Sequence, residues 1–291
     1  MGITGDLAFA AGSALLALGR HSPALRAEAL IYADDALKTE DAALLRGLGA
    51  RILPPVPLDA DLAPDYLARM SPLIMTRFEG LRLLRHYHRV LFLDVDIAIQ
   101  GDITPLLDYG PFGVALEDTG YLVGGYHNKA GVNITAPIPG YDAEAHNINA
   151  GVLVLHDSLP EPEGLYQNFR KWLKLYARNM LFPDQAIINL MAHRFLSEGS
   201  GLVSYFPAEI YNAHPCNTKA QDAVLVHAFG EFKFWNDRLT GYFFPEWKRD
   251  YARWLASGGS PWRGEPVNAA LAGSGPYEMI KRLLESLPSR P

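Results

Sequence analysis

The sequence predicts an α/β fold in which a mostly parallel sheet carries helices on both faces. Two observations support this prediction: short apolar strands alternate with helical segments along the chain, and a buried strand, Val90 to Leu93, ends in the carboxylates Asp94 and Asp96. Such alternation is typical of a parallel sheet covered by helices on both faces. Ligands of these sheets bind beyond the carboxyl ends of the strands. The two acids therefore lie where a doubly wound fold would place its site.

Hydrophobic patterns and turn residues place the elements of the first half. Pro54-Pro55 ends a strand and Gly49 closes a helix. Strands are predicted at Ile3–Thr4, Ala29–Tyr32, Arg51–Leu53, Val90–Leu93 and Phe112–Leu116, and helices at Phe9–Gly19, Asp41–Leu48 and Thr76–Tyr87.

The second half begins with a long aperiodic stretch, Asp118 to Asn147, rich in Gly, Pro and Tyr. Loops of that length in a compact domain are usually functional lids or insertions, so we predict a substrate-facing flap. Strands follow at Asn149–Leu155 and Val224–Phe229, and helices at Leu165–Tyr176 and Asp184–His193. We predict a catalytic domain over residues 1–235 and an aromatic-rich helical extension, residues 236–291, packed on it. The extension is either a packed helix or a helix at a membrane interface.

Composition narrows the classes of function. With 291 residues, 49% of them hydrophobic, and a net charge of -6, the chain offers no global electrostatic case for nucleic acid. The single cysteine, Cys216, excludes an intrachain disulfide and a zinc site of several thiolates. The apolar stretch Ala8 to Leu18 follows Asp6 rather than a basic residue, which predicts a helix and not a signal peptide. No run reaches the roughly 18 apolar residues of a membrane span. We expect a cytoplasmic protein, with peripheral contact at the inner membrane face left open.

The two acids and two later residues suggest a metal site. In an extended strand, side chains two residues apart point to the same side, so Asp94 and Asp96 can reach one cation. His227 ends a late strand and Lys233 follows it six residues later. Two carboxylates and one imidazole suit Mn²⁺ or Mg²⁺ better than zinc, with the lysine facing phosphates. Alternatively, Asp94 caps a turn, or serves as the nucleophile of a phosphohydrolase, and His227 is structural.

Four motifs in order resemble glycosyltransferase family 8, the retaining nucleotide-sugar transferases. They are RVLFLDVD (Arg89 to Asp96), NAGVLVL (Asn149 to Leu155), the Asp184-Gln185 pair of PDQAIIN, and HAFGEFKFW (His227 to Trp235). The resemblance runs from Ile3 to about Trp235. It implies a GT-A fold, which is a Rossmann-like nucleotide-sugar-binding domain. It also implies a retaining, Mn²⁺- or Mg²⁺-dependent enzyme that transfers a hexose from a UDP-sugar donor to a hydroxyl of a saccharide or polyol acceptor.

The resemblance also implies roles for individual residues. The metal ligands would be Asp94, Asp96 and His227. Donor binding is implied for Thr4, Gly5, Asp6, Phe9, Asp94, Gly230 and Lys233. Positions lining the sugar and the reacting carbon are Arg77, Asp118, Asn149, Asp184 and Gln185. An alternative role for Asp184 is that of a helix N-cap. Phe9 stands where many members have Tyr, and Phe234 replaces the Pro of Lys-Pro-Trp. A further alternative is that the chain is a catalytically idle module that binds a nucleotide sugar or glycan.

Overall fold

The computed structural model describes residues 1–57, 71–117, 129–215, 217, 219–230, 233–236 and 244–264. The predicted site residue Asp118, the cysteine Cys216 and the first part of the predicted flap lie outside these ranges.

The chain begins with three parallel strands joined by helices. The strands are β1 (Gly2–Ile3), β2 (Ala29–Ala33) and β3 (Ala50–Leu53), and the helices are α1 (Ala8–His21) and α2 (Thr39–Gly47). The strands pair in the order β1-β2-β3, and both pairs are parallel. The predicted alternation is confirmed in this part of the chain.

A second, four-stranded sheet has the order β4-β7-β6-β8. Its strands are β4 (Arg89–Leu93), β6 (Phe112–Leu116), β7 (Ile148–His156) and β8 (Val203–Tyr205). The long strand β7 runs antiparallel to both β4 and β6, and β8 runs parallel to β6. The helices α3 (Thr76–Leu83), α4 (Pro162–Tyr176) and α5 (Pro183–Ser197) pack against this sheet through a shared apolar core. The α/β fold is thus confirmed, with antiparallel pairs around β7.

Two further strands form a small antiparallel sheet, of which the sequence predicted the second strand but not the first. They are β5 (Ile97–Ile99) and β9 (Leu225–His227), and a short helix α6 (Ala208–Tyr211) precedes β9. Because Asp94 and Asp96 interrupt the apolar run, the sequence predicted that the strand ends at Leu93. In the structure a new strand, β5, begins at Ile97, three residues after Asp94. Short 3₁₀ segments span Gly5–Leu7, Pro72–Met75, Thr104–Asp108, Ala130–Asn133, Ala177–Asn179 and Ala220–Asp222.

The helix α7 (Pro245–Ala256) lies on α1. Trp254 is 1% exposed and lies against Gly12, where a Cβ atom would come within 2.1 Å of the indole ring. Arg20 of α1 forms ion pairs with Glu246 and, at 2.6 Å, with Asp250 of α7. Trp247 and Trp254 are thus buried in packing, at 4% and 1% exposure. Within the described ranges, no helix is both long and apolar enough to cross a bilayer.

Candidate active site

Asp94 and Asp96 lie in a bend between β4 and β5. The backbone N–H of Asp94 donates to the carbonyl of Gly151 at 2.8 Å, and the carbonyl of Asp96 accepts from the N–H of Ala228 at 2.8 Å. The bend is thereby fixed between β7 and the end of β9. An extended geometry was expected, and the bend replaces it while still bringing the two carboxylates together.

His227, at the end of β9, completes the cluster. Its Nε2 atom lies 3.2 Å from Oδ1 of Asp96 and 3.7 Å from Oδ2 of Asp94. One ligand atom from each of the three residues lies within 4.8 Å of the others. The Nδ1 atom of His227 lies 3.0 Å from Oδ1 of buried Asn212, which can only accept, so Nδ1 carries the proton. Nε2 then offers a lone pair between two carboxylates, and this donor set fits a divalent cation.

Strand β7 makes room for the imidazole ring. A Cβ atom on Gly151 would come within 2.0 Å of Cε1 of His227. The register between β6 and β7 shifts in this region, which indicates a bulge. Asn149, which we expected to line the sugar, is buried, and its Oδ1 accepts from the N–H of Gly151 at 3.0 Å. In this structure Asn149 therefore shapes the bulge beneath His227.

Arg77 of α3 connects the cluster to α5. Its Nη2 lies 3.2 Å from Oδ1 of Asp94, and its Nη1 lies 2.8 Å from Oδ2 of Asp184 and donates to the carbonyl of Ala150 at 2.9 Å. The guanidinium also lies over the ring of Phe92, 5.0 Å from its centroid. Asp184 occupies the first turn of α5 and makes no capping hydrogen bond. Its carboxylate instead pairs with the buried guanidinium of Arg77. The alternative of a helix N-cap at Asp184 was therefore wrong.

The two acids differ in their electrostatic setting. Burial raises the pKa of Asp94, an effect that Arg77 opposes and the charge of Asp96 reinforces. Burial would also raise the pKa of Asp96, but the neighbouring His227 and Lys233 hold it well below its usual value. Asp96 is therefore a permanent anion at neutral pH. The site keeps at least one fixed negative charge for a cation.

Lys233 lies beside Asp96 at the edge of the site. Its ammonium pairs with the Asp96 carboxylate and donates to the carbonyl of Ala228 at 2.7 Å. The next residue, Phe234, is buried and stacks on Trp247 with ring centroids 5.7 Å apart. This packing explains a phenylalanine at that position: it ties the segment that carries the lysine to α7. Gly230 is exposed and has a φ of 82°, a conformation that favours glycine.

Gln185 belongs to a network of side-chain amides beside the cluster. Its Oε1 accepts from the N–H of Ala150 at 3.4 Å, and its Nε2 donates to Oδ1 of Asn133 at 3.2 Å. Asn133 donates to Asn147 at 2.8 Å, and Asn189 of α5 donates to the same oxygen at 3.1 Å. The described part of the predicted flap, from residue 129, is thus held to α5 by buried hydrogen bonds.

The predicted nucleotide residues at the N-terminus form hydrogen bonds with one another and with β2–α2 loop residue Asp34. Thr4 donates to Asp6, and the N–H of Gly5 donates to Oδ1 of Asp34 at 2.8 Å. In the described part of the chain, no hydrogen bond or ion pair joins Thr4, Gly5 or Asp6 to the three-residue cluster.

Phe9 does not suit the predicted role in base stacking. It is 1% exposed, and the rings of Trp235, Trp247 and Tyr251 surround it at centroid distances of 5.3, 6.5 and 5.4 Å. A ring enclosed in this way has no face for a uracil base. Burial of this ring argues against stacking on a base, and the donor-binding role of Phe9 stays a prediction.

Sequence reasoning missed Asn212. It lies 15 positions before His227 and is buried, yet an isolated asparagine in a loop carries no pattern that marks it as a partner of an imidazole. Only the bridge between Ala213 and Val226, together with the hydrogen bond from the N–H of His227 to the carbonyl of Ala213 at 2.9 Å, brings the two side chains together.

The family model described as "Glycosyl transferase family 8" matches residues 28–238. No curated protein matches the chain significantly.

Three solved structures illustrate the likeness in fold. The galactosyltransferase LgtC, in complex with donor and acceptor sugar analogues, is 18% identical, with 88% of this chain and 98% of that chain covered and a TM-score of 0.62. The bifunctional glycosyltransferase WbbM is 15% identical (98% and 51% covered, TM-score 0.63). GlyE of Streptococcus pneumoniae TIGR4 is 16% identical (88% and 62% covered, TM-score 0.54). These similarities confirm the predicted GT-A fold.

Proposed function

The chain belongs to glycosyl transferase family 8, and on that premise we propose that it is a retaining, metal-dependent enzyme. It transfers a hexose from a uridine diphosphate sugar to a hydroxyl of a saccharide or polyol acceptor. The observation that carries the proposal is the convergence of Asp94, Asp96 and His227, with ligand atoms within 4.8 Å of one another and Lys233 beside them.

The metal would be held by Asp94, Asp96 and the Nε2 atom of His227, and Mn²⁺ or Mg²⁺ suits this donor set. When bound, a divalent cation acts as a Lewis acid that stabilises the charge growing on a departing diphosphate. Lys233 supplies one further positive charge. A single pair of charges about 4 Å apart in a partly wet site contributes roughly 4 kcal/mol. That is too little for a diphosphate alone, which supports a role for the cation.

Lys233 is placed to exchange partners when the donor binds. Its side chain is 22% exposed and its ammonium now neutralises Asp96. A cation shared between Asp94, Asp96 and His227 would take over that neutralisation, and the ammonium could then turn to a phosphate oxygen. Gly230, three positions before Lys233, has no Cβ and would let a diphosphate approach the backbone.

The sugar side of the site supports retention. Inverting transfer requires a carboxylate base positioned across the sugar ring from the leaving group. Asp184, the acid at this end of the site, is paired with Arg77 and largely buried, so we assign it to binding sugar or acceptor hydroxyls. Gln185 presents a neutral amide beside it. Its carbonyl oxygen suits the positive charge that develops on the reacting carbon.

The alternative of a phosphohydrolase requires a further acidic cluster for Mg²⁺. Within the described residues, the group formed by Asp94, Asp96 and His227 is the one candidate metal cluster. Asp94 is also paired with Arg77, which weakens it as a nucleophile. We therefore favour the transferase over this alternative.

The experiment is a screen of uridine, guanosine and adenosine diphosphate sugars with Mn²⁺ or with a chelator, following nucleotide release. The anomeric configuration of the product is read by NMR. Asp96→Asn should abolish turnover while far-UV circular dichroism stays unchanged. Asp108→Asn, whose side chain is 75% exposed, is the matched control and should retain activity.

Turnover by Asp96→Asn with Mn²⁺ present would contradict the metal assignment, and an inverted product would contradict retention. Release of p-nitrophenol from its phosphate without any nucleotide sugar would support the phosphohydrolase instead. Donor binding without either hydrolysis or transfer, across a broad panel of acceptors, would indicate a binding module.

A further inference from the structure

The buried amides beside Gln185 form a chain of hydrogen bonds whose direction is fixed at one end by backbone groups. That end is Asn189 of α5, which is 0% exposed. Its Oδ1 accepts from the N–H of Ile148 at 2.9 Å, and its Nδ2 donates to the carbonyls of Ile148 at 3.1 Å and Gln185 at 2.8 Å. Because a backbone N–H only donates and a backbone carbonyl only accepts, the amide of Asn189 has one possible orientation.

The orientation of Asn189 determines that of the next amide, Asn147. Nδ2 of Asn189 also donates to an amide atom of Asn147 at 3.1 Å, so that atom is the oxygen, Oδ1. The other end of the same amide agrees, because Nδ2 of Asn147 donates to a carboxylate oxygen of Glu117 at 3.0 Å. Asn147 and Glu117 are both buried. Two separate partners therefore hold Asn147 in one orientation.

Asn147 in turn orients Asn133, a fully buried residue in the described part of the predicted flap. Oδ1 of Asn147 accepts from Nδ2 of Asn133 at 2.8 Å, so the remaining polar atom of the Asn133 side chain is an oxygen. That oxygen accepts from Nε2 of Gln185 at 3.2 Å. The direction set at Asn189 thus passes through two amides to Gln185.

This direction decides which atom of Gln185 lies beside β7. With Nε2 bonded to Asn133, Oε1 is the atom that faces Ala150, from whose N–H it accepts at 3.4 Å. That contact is long and holds the amide only weakly by itself. A reversed amide would oppose two N–H groups at Ala150 and two oxygens at Asn133. It would also turn donor hydrogens, instead of an oxygen, toward a sugar carbon that becomes positively charged.

We propose that Asn133 is a positioning residue for Gln185, whose amide it holds with Oε1 toward the reacting carbon through the chain of amides anchored at Asn189. The inference rests on the proposed function, in which that oxygen stabilises the positive charge of the transferred sugar. Because Asn133 is fully buried, it acts through Gln185 rather than on the sugar. The flap that we expect to face the substrate thereby also orients a group beside the reacting carbon.

The side chain of Asn133 can be removed without detaching its segment from the domain. The backbone carbonyl of Asn133 accepts from the N–H of Leu181 at 2.8 Å. The N–H of Thr135 donates to the carbonyl of Asn179 at 2.8 Å. Both bonds join the flap to the segment before α5, and neither uses a side chain. Asn133→Leu has the same branching as asparagine without its polar atoms. Asn133→Ala removes the same atoms without bulk and takes its place should the leucine variant not fold.

Thr135→Val is the matched control. The hydroxyl of Thr135 donates to the carbonyl of Arg178 at 3.4 Å, so this side chain also links the flap to the segment before α5. It is exposed and lies outside the chain of amides. Its loss should therefore change neither the orientation of Gln185 nor turnover.

The first readout is the NMR signal of the Gln185 side-chain NH₂ group, which needs no substrate and is identified by its absence from Gln185→Ala. Asn133→Leu should shift this signal and speed exchange of its protons with solvent by about tenfold or more, because Nε2 loses its acceptor. Thr135→Val should leave the signal in place. An unchanged Gln185 signal in Asn133→Leu would overturn the proposal.

The second readout is turnover with the donor found in the screen of nucleotide sugars. In Asn133→Leu, kcat should fall by about tenfold or more, the usual cost of misplacing a group at the reacting centre. The KM for the donor and the affinity for Mn²⁺ should stay as they are. A merely structural defect would shift α5 and, through Asp184 and Arg77, the metal cluster, so Mn²⁺ affinity would fall together with kcat.

That joint loss would overturn the proposal, as would full kcat in a variant whose Gln185 signal has moved. Absence of turnover in the unmodified chain would instead contradict the proposed function. The Gln185 signal would then still decide whether Asn133 orients the amide, so the two failures are distinguishable.

Discussion

The Nδ1 atom of His227 lies 3.0 Å from the Oδ1 atom of Asn212, and both side chains are buried. This contact orients the imidazole ring and places its proton on the nitrogen that faces away from Asp94 and Asp96. The Nδ2 atom of Asn212 has no hydrogen-bond partner among the described residues. Asn212 is therefore a positioning residue, whose effect on chemistry would pass through His227.

Replacing Asn212 should weaken metal binding more than folding. Asn212→Leu removes the acceptor for Nδ1 and also removes an unpaired buried donor, so the chain should stay folded. We expect Mn²⁺ affinity to fall by about 10- to 100-fold, the usual effect of losing the partner of a ligating histidine. Asn212→Asp keeps the acceptor and should keep the affinity. Isothermal titration with Mn²⁺ measures both, and equal losses in the two variants would contradict the role.

A methyl group on Gly151 should displace His227. Because a Cβ atom there would come within 2.0 Å of the imidazole ring, Gly151→Ala must move the ring or the bulge of β7. We expect Mn²⁺ affinity to fall by about tenfold or more. Gly19→Ala, an exposed helix position with no atom within 4 Å of the added Cβ, is the matched control. It should bind Mn²⁺ normally and be slightly more stable. Unchanged binding by Gly151→Ala would show that the ring is not confined.

Arg77 should matter far more to stability than its neighbour Arg82 on α3. Arg77 is 6% exposed and pairs with both Asp94 and Asp184. Arg77→Met leaves two buried carboxylates without their cation, so the free energy of unfolding should fall by about 3–5 kcal/mol. The side chain of Arg82 is 40% exposed, and Arg82→Met should cost about 1 kcal/mol or less. Urea unfolding of both variants measures the difference, and similar losses would contradict the bridging role of Arg77.

His214 should make stability depend on pH. Burial lowers its pKa to about 3, whereas an unperturbed histidine titrates near pH 6.5. Between these values the unfolded chain binds more protons than the folded chain. The free energy of unfolding therefore falls as pH decreases through this window, by up to about 1.4 kcal/mol per pH unit.

His214→Gln tests this pH dependence. The glutamine retains an N–H donor for the carbonyl of Phe229, which His214 now contacts at 3.1 Å, but does not titrate. Urea unfolding at a series of pH values between 4 and 7 gives the free energy of unfolding as a function of pH. The slope of this dependence should correspond to about one proton fewer in the variant than in the unmodified chain. Identical slopes would mean that other groups set the acid sensitivity.

Much of the fold was predictable because it follows local patterns. The alternation that places α1 between β1 and β2 is visible in the spacing of apolar residues and glycines. Strand β5 was missed because two acids interrupt the apolar run before it, and the chain bends where an extended strand was expected. The local pattern does not distinguish a strand that ends from one that turns into another sheet.

The sequence by itself determined the kind of chemistry at the site: two carboxylates, an imidazole and an ammonium group, and hence a cation and phosphates as the ligands they suit. Only the tertiary structure decided how these groups meet. His227 follows Asp96 by 131 positions, and its distance from the acids depends on how β9 pairs with β5. Which nitrogen carries the proton depends on Asn212, and whether Phe9 can reach a base depends on the aromatic rings around it. Such relationships arise from packing between distant segments, which no local pattern of residues encodes.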